Sequence, residues 1–313
     1  MSEQQVTVVA LGAHILDVLG RYVTEIPEGQ GGTLIEEIRL SPAGAAGGTA
    51  VTLAKLGARV VSAGAVGTDD AGDVLLHALE RFGVVTDRLV RRADVQTSCT
   101  ILPIRPNGER PALHVIGANG TYTPDDVPWD ELESAQFLHV GGPEFVAEHA
   151  ERILSFARDH GTTTSADLLA DGWPELLDML APALPHLDWF FPNDDQARKL
   201  TGEDDLEAAA RALMERGVSR LAITCGADGS LLVDADGATR VPAFKVDVVD
   251  TTGCGDAYTA GFLRGLSLGH DSERAAALGS ACAALVAGGL GSDAGDFDLD
   301  AAERFAQSTP TAA

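Results

Sequence analysis

Aromatic side chains make up 5% of this chain, with three Trp and three Tyr among 313 residues. A pocket built to grip a flat heterocycle has few rings to draw on. Cysteine is also scarce. Cys99, Cys225, Cys254 and Cys282 lie far apart and lack the paired spacing of a zinc or redox motif. They read as reduced thiols. Basic residues number 22 against 47 acidic ones, a formal charge of −25. Such a surface repels phosphate-rich polymers, which argues against nucleic acid as a partner. No apolar run approaches the ~18 residues that would span a bilayer, so no membrane partner is expected. The opening Met-Ser-Glu-Gln-Gln lacks the basic start of a secretory signal, and a cytoplasmic setting is expected. Three motifs are missing as well. There is no Gly-x-x-x-x-Gly-Lys-Ser/Thr and no Gly-x-Gly-x-x-Gly after the first strand, against a P-loop NTPase and a Rossmann dehydrogenase. There is no Gly-x-Ser-x-Gly elbow after a strand, against an α/β hydrolase; the one match, Gly265-Leu266-Ser267-Leu268-Gly269, ends a helical pattern.

What is present is alternation. Apolar runs such as 6–11, 60–65, 137–140, 163–167, 189–191 and 220–224 read as buried strands. Between them lie helical patterns at 49–56, 70–82, 145–160, 173–180, 194–200 and 206–216. This spacing predicts an α/β chain with a doubly wound, mostly parallel central sheet and helices on both faces. Two stretches break the rhythm. Residues 33–39 alternate with a period of two, and 99–104 and 111–115 flank Asn107-Gly108, a hairpin signal. They predict a small second sheet beside the main body. The tail from Ser308 is expected to fray.

The most informative stretch is Asp250-Thr251-Thr252-Gly253-Cys254-Gly255-Asp256-Ala257-Tyr258-Thr259-Ala260-Gly261. A glycine turn that feeds a helix leaves backbone N–H groups without intrahelical partners. The helix dipole adds positive potential at the same spot, which suits a phosphate. Asp256 would repel that anion unless it has a task. Taking a proton from an attacking hydroxyl is the task that fits.

This stretch resembles the C-terminal signature of the ribokinase-like (PfkB-type) carbohydrate kinases. The resemblance implies that Asp256 is the catalytic base and that Gly253, Cys254 and Gly255 form the anion hole. It implies a substrate ligand at Asp17, which follows Gly12 at the end of the first strand. Ser41-Pro42-Ala43-Gly44-Ala45-Ala46-Gly47-Gly48 resembles the family's glycine motif, with Gly44 and Gly48 at substrate positions. The family usually has Gly-Gly at Ala43-Gly44 and Asn at Gly48. Asn193-Asp194-Asp195-Gln196 resembles Asn-x-x-Glu, which implies ATP and Mg²⁺ contacts at Asn193; Gln196 carries no charge where the family has Glu, so Asp194 or Asp195, with Asp195 preferred, is the candidate water-mediated magnesium ligand. Thr224, Gly226 and Gly229 match the ATP-binding turn. Asp250 and Gly291 are the candidates for a potassium site. The small sheet would be a lid over the substrate, built from insertions near 18–42 and 96–116 of a single 1–313 domain, and a homodimer contact.

The expected activity is ATP-dependent phosphorylation of a hydroxyl on a small polyol, a sugar before a nucleoside given the few aromatics (Tyr22, Tyr122 and Trp129 near the lid). Arg21, Arg39 and Arg105 lie near the lid and keep a phosphorylated sugar open. A ligand-binding regulator that keeps the fold is the other reading, favoured by Gly48 and Gln196 and opposed by Asp256.

Overall fold

The computed structural model describes residues 5–312. The first third holds β1 (Thr7–Gly12), β2 (Ile15–Arg21), β3 (Glu37–Ala43), α1 (Ala45–Lys55), β4 (Arg59–Gly67), α2 (Asp70–Glu80), β5 (Val85–Arg92), β6 (Cys99–Ile104) and β7 (Leu113–Val115). The middle holds α3 (Trp129–Ser134), β8 (Phe137–Gly141), α4 (Ala147–Asp159), β9 (Thr163–Asp167), α5 (Pro174–Leu180), β10 (Trp189–Phe190), α6 (Asp194–Thr201) and α7 (Leu206–Glu215). The last part holds β11 (Leu221–Thr224), β12 (Ser230–Asp234), β13 (Gly237–Val241), α8 (Cys254–Ser267), α9 (Ser272–Ala287) and α10 (Leu299–Ser308).

Nine strands form the main sheet in the order β13-β12-β11-β10-β9-β8-β1-β4-β5. Pairing is parallel from β5 through β11, and β12 and β13 add antiparallel at one edge. Strand side chains alternate between faces. Val9 and Leu11 belong to a buried cluster that also holds Ile153 and Leu154 of α4 and Leu213 of α7. Val8 and Ala10 belong to a second cluster, with Leu53 of α1, Leu75 of α2 and Phe262 of α8. Helices therefore cover both faces, as the alternation predicts. The chain runs from β1 outward to β4 and β5, then returns to β8 on the other side of β1. The reversal opens a crevice at the carboxyl ends of β1 and β8, where such sheets bind ligands.

The second sheet has four strands, ordered β3-β2-β6-β7. Its register separates two faces. Leu40, Val18, Ile101 and Leu113 align in one row across the strands, and Ser41, Asp17, Thr100 and His114 align in the next row, on the opposite face. The apolar row is open to solvent, with Ile101 54% and Leu113 64% exposed.

Four differences from the sequence reading have physical causes. The β2 strand was not expected, because the polar Asp17 interrupts its apolar run. β5 was also not expected; its Asp87, Arg88, Arg91 and Arg92 give it an edge-strand composition. Helix α1 starts at Ala45 instead of 49 and runs through Gly47-Gly48. Glycine is a poor helix former, yet packing against the sheet overrides propensity. The tail does not fray as far as the described residues run, to 312: Ala312 N–H donates to Ala243 O at 2.7 Å, and Lys245 N–H donates to Pro310 O at 3.0 Å.

Candidate active site

Helix α8 begins at a glycine because nothing else fits there. Gly253 is its N-cap with φ +78°, in the left-handed region. A Cβ at this position would also lie 2.5 Å from Ser292 Cα. Further along, Phe262 stacks edge-on against Trp189 (4.6 Å between ring centres) and Phe191 (5.2 Å). The Tyr258 hydroxyl donates to Ser230 Oγ at 2.8 Å. The helix that carries Asp256 is thus fixed to the sheet by buried rings.

Its first turn has open donors. No carbonyl among the described residues accepts from the N–H groups of Gly253, Gly255 or Asp256. Cys254 N–H turns back to Thr251 O at 3.3 Å, so the free amides are those of 253, 255 and 256. The Cys254 thiol faces Ala283 O, and burial pushes it up to about 12. It stays protonated and serves as a filler. A Cβ built on Gly255 meets nothing within 4 Å, so its outer side is open for a ligand.

The Asp256 carboxylate accepts no hydrogen bond from any described residue. Burial raises its pKa well above the usual carboxylate range, and the charges of Asp167 and Asp17 add to this, while Arg110 opposes it. Asp17 behaves alike. Burial lifts it to about 7, against the Thr100 hydroxyl and Arg110, with Asp250 adding to the rise. Asp167 is raised by burial as well, with His139 opposing. His139 Nε2 lies 3.2 Å from Asp167 Oδ1. His139 Nδ1 lies 3.1 Å from Ser165 Oγ, and that hydroxyl donates to Leu138 O. With that hydroxyl donating to Leu138 O, Nδ1 is the donor to Ser165 Oγ. Three acids whose charges interact, raised by burial, mark a functional cleft.

Gly48 faces this cluster. A Cβ there would sit 2.2 Å from Asp256 Oδ2 and 2.8 Å from Cγ. The carboxylate fills the space that a side chain would take. Gly44 caps α1 with φ +88°, and a Cβ on it would strike Ala13 O at 2.5 Å. Its role in the chain is to turn β3 into α1.

The nucleotide-corner candidates also come together. Asn193 and Thr224 form a parallel bridge at the ends of β10 and β11. Gly226 has φ +56° with open space beside it, whereas a Cβ on Gly229 would strike Val241 O at 2.0 Å. Asn193 and Gln196 form a reciprocal capping box: Gln196 N–H donates to Asn193 Oδ1 at 2.8 Å and Asn193 N–H to Gln196 Oε1 at 2.9 Å. The Gln196 amide also donates to Leu168 O and Ala170 O. Asp194 pairs with Arg198, and Asp195 lies 2.6 Å from Lys199. Asp250 is an anchor. Its Oδ1 accepts from Thr252 N–H and Oγ1, and its Oδ2 accepts from Gly291 N–H at 3.0 Å.

Three residues were missed by the sequence reading. Thr100 and His114 share the cleft-facing row with Asp17, and Thr100 Oγ1 lies 3.0 Å from His114 Nδ1. Arg110 donates from Nε to Thr251 Oγ1 at 3.1 Å. The period-two pattern of 99–104 puts Thr100 on one face with Leu102, and that signal was available. The three arginines that were named are engaged elsewhere: Arg21 with Glu37, Arg39 with Asp293, Arg105 with Glu109. A cavity of about 880 Å³ is lined by residues such as Val6, Phe137 and Thr163 at the opposite, amino end of the strands. None of the candidate residues lines it, and the acidic cluster marks the site instead.

The model of the pfkB family of carbohydrate kinases matches residues 6–296. The chain belongs to the pfkB family of carbohydrate kinases. It is a carbohydrate kinase on that ground. It is 32% identical over 271 residues to an ATP-dependent ribose-1-phosphate kinase of Halopiger xanaduensis, covering 85% of this chain and 87% of the relative. A deoxyribokinase of Salmonella typhi is 27% identical over 263 residues, covering 82% and 84%. A ribokinase of Arabidopsis thaliana, solved with ribose and ATP, superposes with a TM-score of 0.83 at 21% identity, covering 97% of this chain and 99% of that one. The last shows a shared fold: the ribokinase-like doubly wound sheet with a small sheet beside it.

Proposed function

We propose that this kinase transfers the γ-phosphoryl group of ATP to a hydroxyl of a small polyol, a sugar, with Asp256 as the general base. The observation that carries this reading is the free Asp256 carboxylate at a glycine-capped helix start whose amides have no partners. A base needs a free lone pair within reach of the acceptor hydroxyl, and burial, by raising the pKa of Asp256, makes its carboxylate a stronger base. The amides of 253, 255 and 256 would receive the transferring oxygens. Asp17, Thr100 and His114 on the underside of the small sheet would hold acceptor hydroxyls, with Gly48 leaving room for the Asp256 carboxylate beside them. On this reading the chain is one kinase domain, and the small sheet is its lid.

ATP would lie along Asn193, Thr224, Gly226 and Gly229. The donor set there does not fit a protein-built magnesium cage. Gln196 is spent on the helix cap, and Asp194 and Asp195 are ion-paired. Magnesium usually keeps its waters and rides on phosphates with one or two carboxylates, which this corner can supply through Asp195. Potassium at the Asp250–Gly291 corner would have to use backbone carbonyls, because both Asp250 oxygens already accept hydrogen bonds.

A sugar is favoured over a nucleoside by where the rings lie. Tyr122 is buried with its hydroxyl on Asp126 O, and Trp129 packs edge-on against Phe156. Neither is free to stack on a base, and the third ring, the exposed Tyr22, has the Arg21 guanidinium 5.8 Å from its centre. The exposed apolar row of the lid suits a second copy of the chain, which a doubled mass in light scattering would check. The activity is tested by acceptor-dependent ADP release with ATP and Mg²⁺. The acceptors are ribose, deoxyribose, ribose 1-phosphate, 2-dehydro-3-deoxygluconate and adenosine. Turnover with a sugar supports the reading; turnover with adenosine alone overturns the substrate class.

A further inference from the structure

The loops that surround the cleft, 12–17, 41–48, 167–170, 193–196, 224–229 and 250–256, carry seven aspartates and no lysine or arginine. His14 is their one basic type, and burial lowers it to about 4, so it is neutral. A nucleoside triphosphate would bring more negative charge to this place. The amides of α8 supply partial charges only. A full positive charge has to come from outside these loops.

We propose that Arg110, carried by the β6–β7 loop of the small sheet, is the catalytic cation that clamps the transferring phosphoryl group. The proposal rests on the kinase reading above and adds a residue to it. Arg110 is exposed at its own position but reaches across to the anion turn, where Nε holds Thr251 Oγ1 at 3.1 Å. Its charge acts on Asp17 on one side and on Cys254 and Asp256 on the other. It stands between the acceptor residues and the amides that would take the phosphoryl oxygens. The partner it holds now, a neutral hydroxyl, is weaker than a phosphoryl oxygen, so an arriving anion would displace Thr251.

In the step, the acceptor oxygen forms a bond to the γ-phosphorus while the bond from that phosphorus to the β–γ bridging oxygen breaks. The bridging oxygen keeps the electron pair and leaves as ADP. The hydroxyl proton goes to Asp256. Negative charge spreads over the equatorial oxygens as this happens. A planar guanidinium can hold two of them at once, while an ammonium acts as a point charge.

The test uses the full chain as wild type, Arg110→Ala and Arg110→Lys. Arg110→Ala should lower kcat by about 10²–10³-fold, the cost of one electrostatic donor in the transition state, with little change in the acceptor KM. Arg110→Lys should recover part of the loss, and added guanidinium should raise the rate of Arg110→Ala where ammonium does not. An unchanged kcat overturns the proposal. A raised acceptor KM at constant kcat also overturns it, because Arg110 would then hold the acceptor. A second arm needs no turnover: binding of ADP with aluminium fluoride and Mg²⁺, against ADP with Mg²⁺ alone. Weaker binding of the fluoride complex by Arg110→Ala, with ADP binding unchanged, supports the clamp. Equal weakening of both, no difference, or no fluoride complex in the wild type overturns it. If no acceptor is turned over by the wild type, the kinase reading fails, and the binding arm still decides Arg110.

Discussion

Two helix starts at the carboxyl edge of the main sheet carry aspartates, and they are built in opposite ways. At α6, Asn193 and Gln196 cap each other, Asp194 pairs with Arg198 and Asp195 with Lys199. Every charge has a neighbour of opposite sign, and the cap residues satisfy each other's backbone. At α8 the cap is a bare glycine, the first amides are open, and Asp256 has no hydrogen-bond partner among the described residues. The first arrangement stabilises a helix. The second leaves potential unspent, which is what a reaction site requires. An acidic first turn alone does not separate the two; the presence or absence of partners does.

The comparison can be broken from the α8 side first. Gly48→Ala places a methyl group where the Asp256 carboxylate lies, 2.2 Å from Oδ2. The base must move by about an ångström, and kcat should fall by about 10²-fold. Steady-state kinetics on a folded variant checks this, and an unchanged kcat would mean that the carboxylate does not act from this position. The same substitution tests whether the departure at 48 is functional or neutral.

The pH profile sharpens the contrast with less effect. Asp17 is raised to about 7 and Asp256 lies well above its ordinary value, both chiefly by burial. The base must be ionised to act. The kcat/KM for the acceptor should therefore rise with pH through neutrality and fall below it. A profile flat from about pH 5 to about pH 8 would show ordinary carboxylates instead. The linked effect on stability has the opposite sign. A carboxyl that holds its proton more tightly in the fold stabilises it at low pH, and that contribution is lost as pH rises through the raised value.

The smallest effect is expected on the α6 side. Gln196→Ala removes half of the capping box and the ties to Leu168 O and Ala170 O. It should cost about 1–2 kcal/mol, or roughly 2–8 °C in melting temperature. Calorimetry checks this. Loss of turnover without loss of stability would return Gln196 to the phosphate site.

The sequence made the α8 turn readable because all of its parts are local: two glycines, a carboxylate and a helical pattern within twelve residues. The doubly wound sheet was readable for a similar reason, since strand and helix periods repeat along the chain. The capping role of Asn193 and Gln196 was also written locally, as Asn-x-x-Gln at the head of a helical pattern, but the family resemblance drew attention to magnesium instead. What could not be read depends on register between distant segments. Thr100 and His114 join Asp17 only because β2, β6 and β7 pair as they do. Arg110 enters only because its loop folds back over Thr251, 141 residues away in sequence. Gly48 looked like a lost ligand, and its meaning changed once the carboxylate of α8 was found against it.

The most direct measurement is single-turnover phosphoryl transfer by wild type and Asp256→Asn, which keeps the shape and removes the lone-pair base. The account predicts a fall of about 10²–10⁴-fold in the transfer rate, with ATP binding retained. Transfer by Asp256→Asn at the wild-type rate would contradict it.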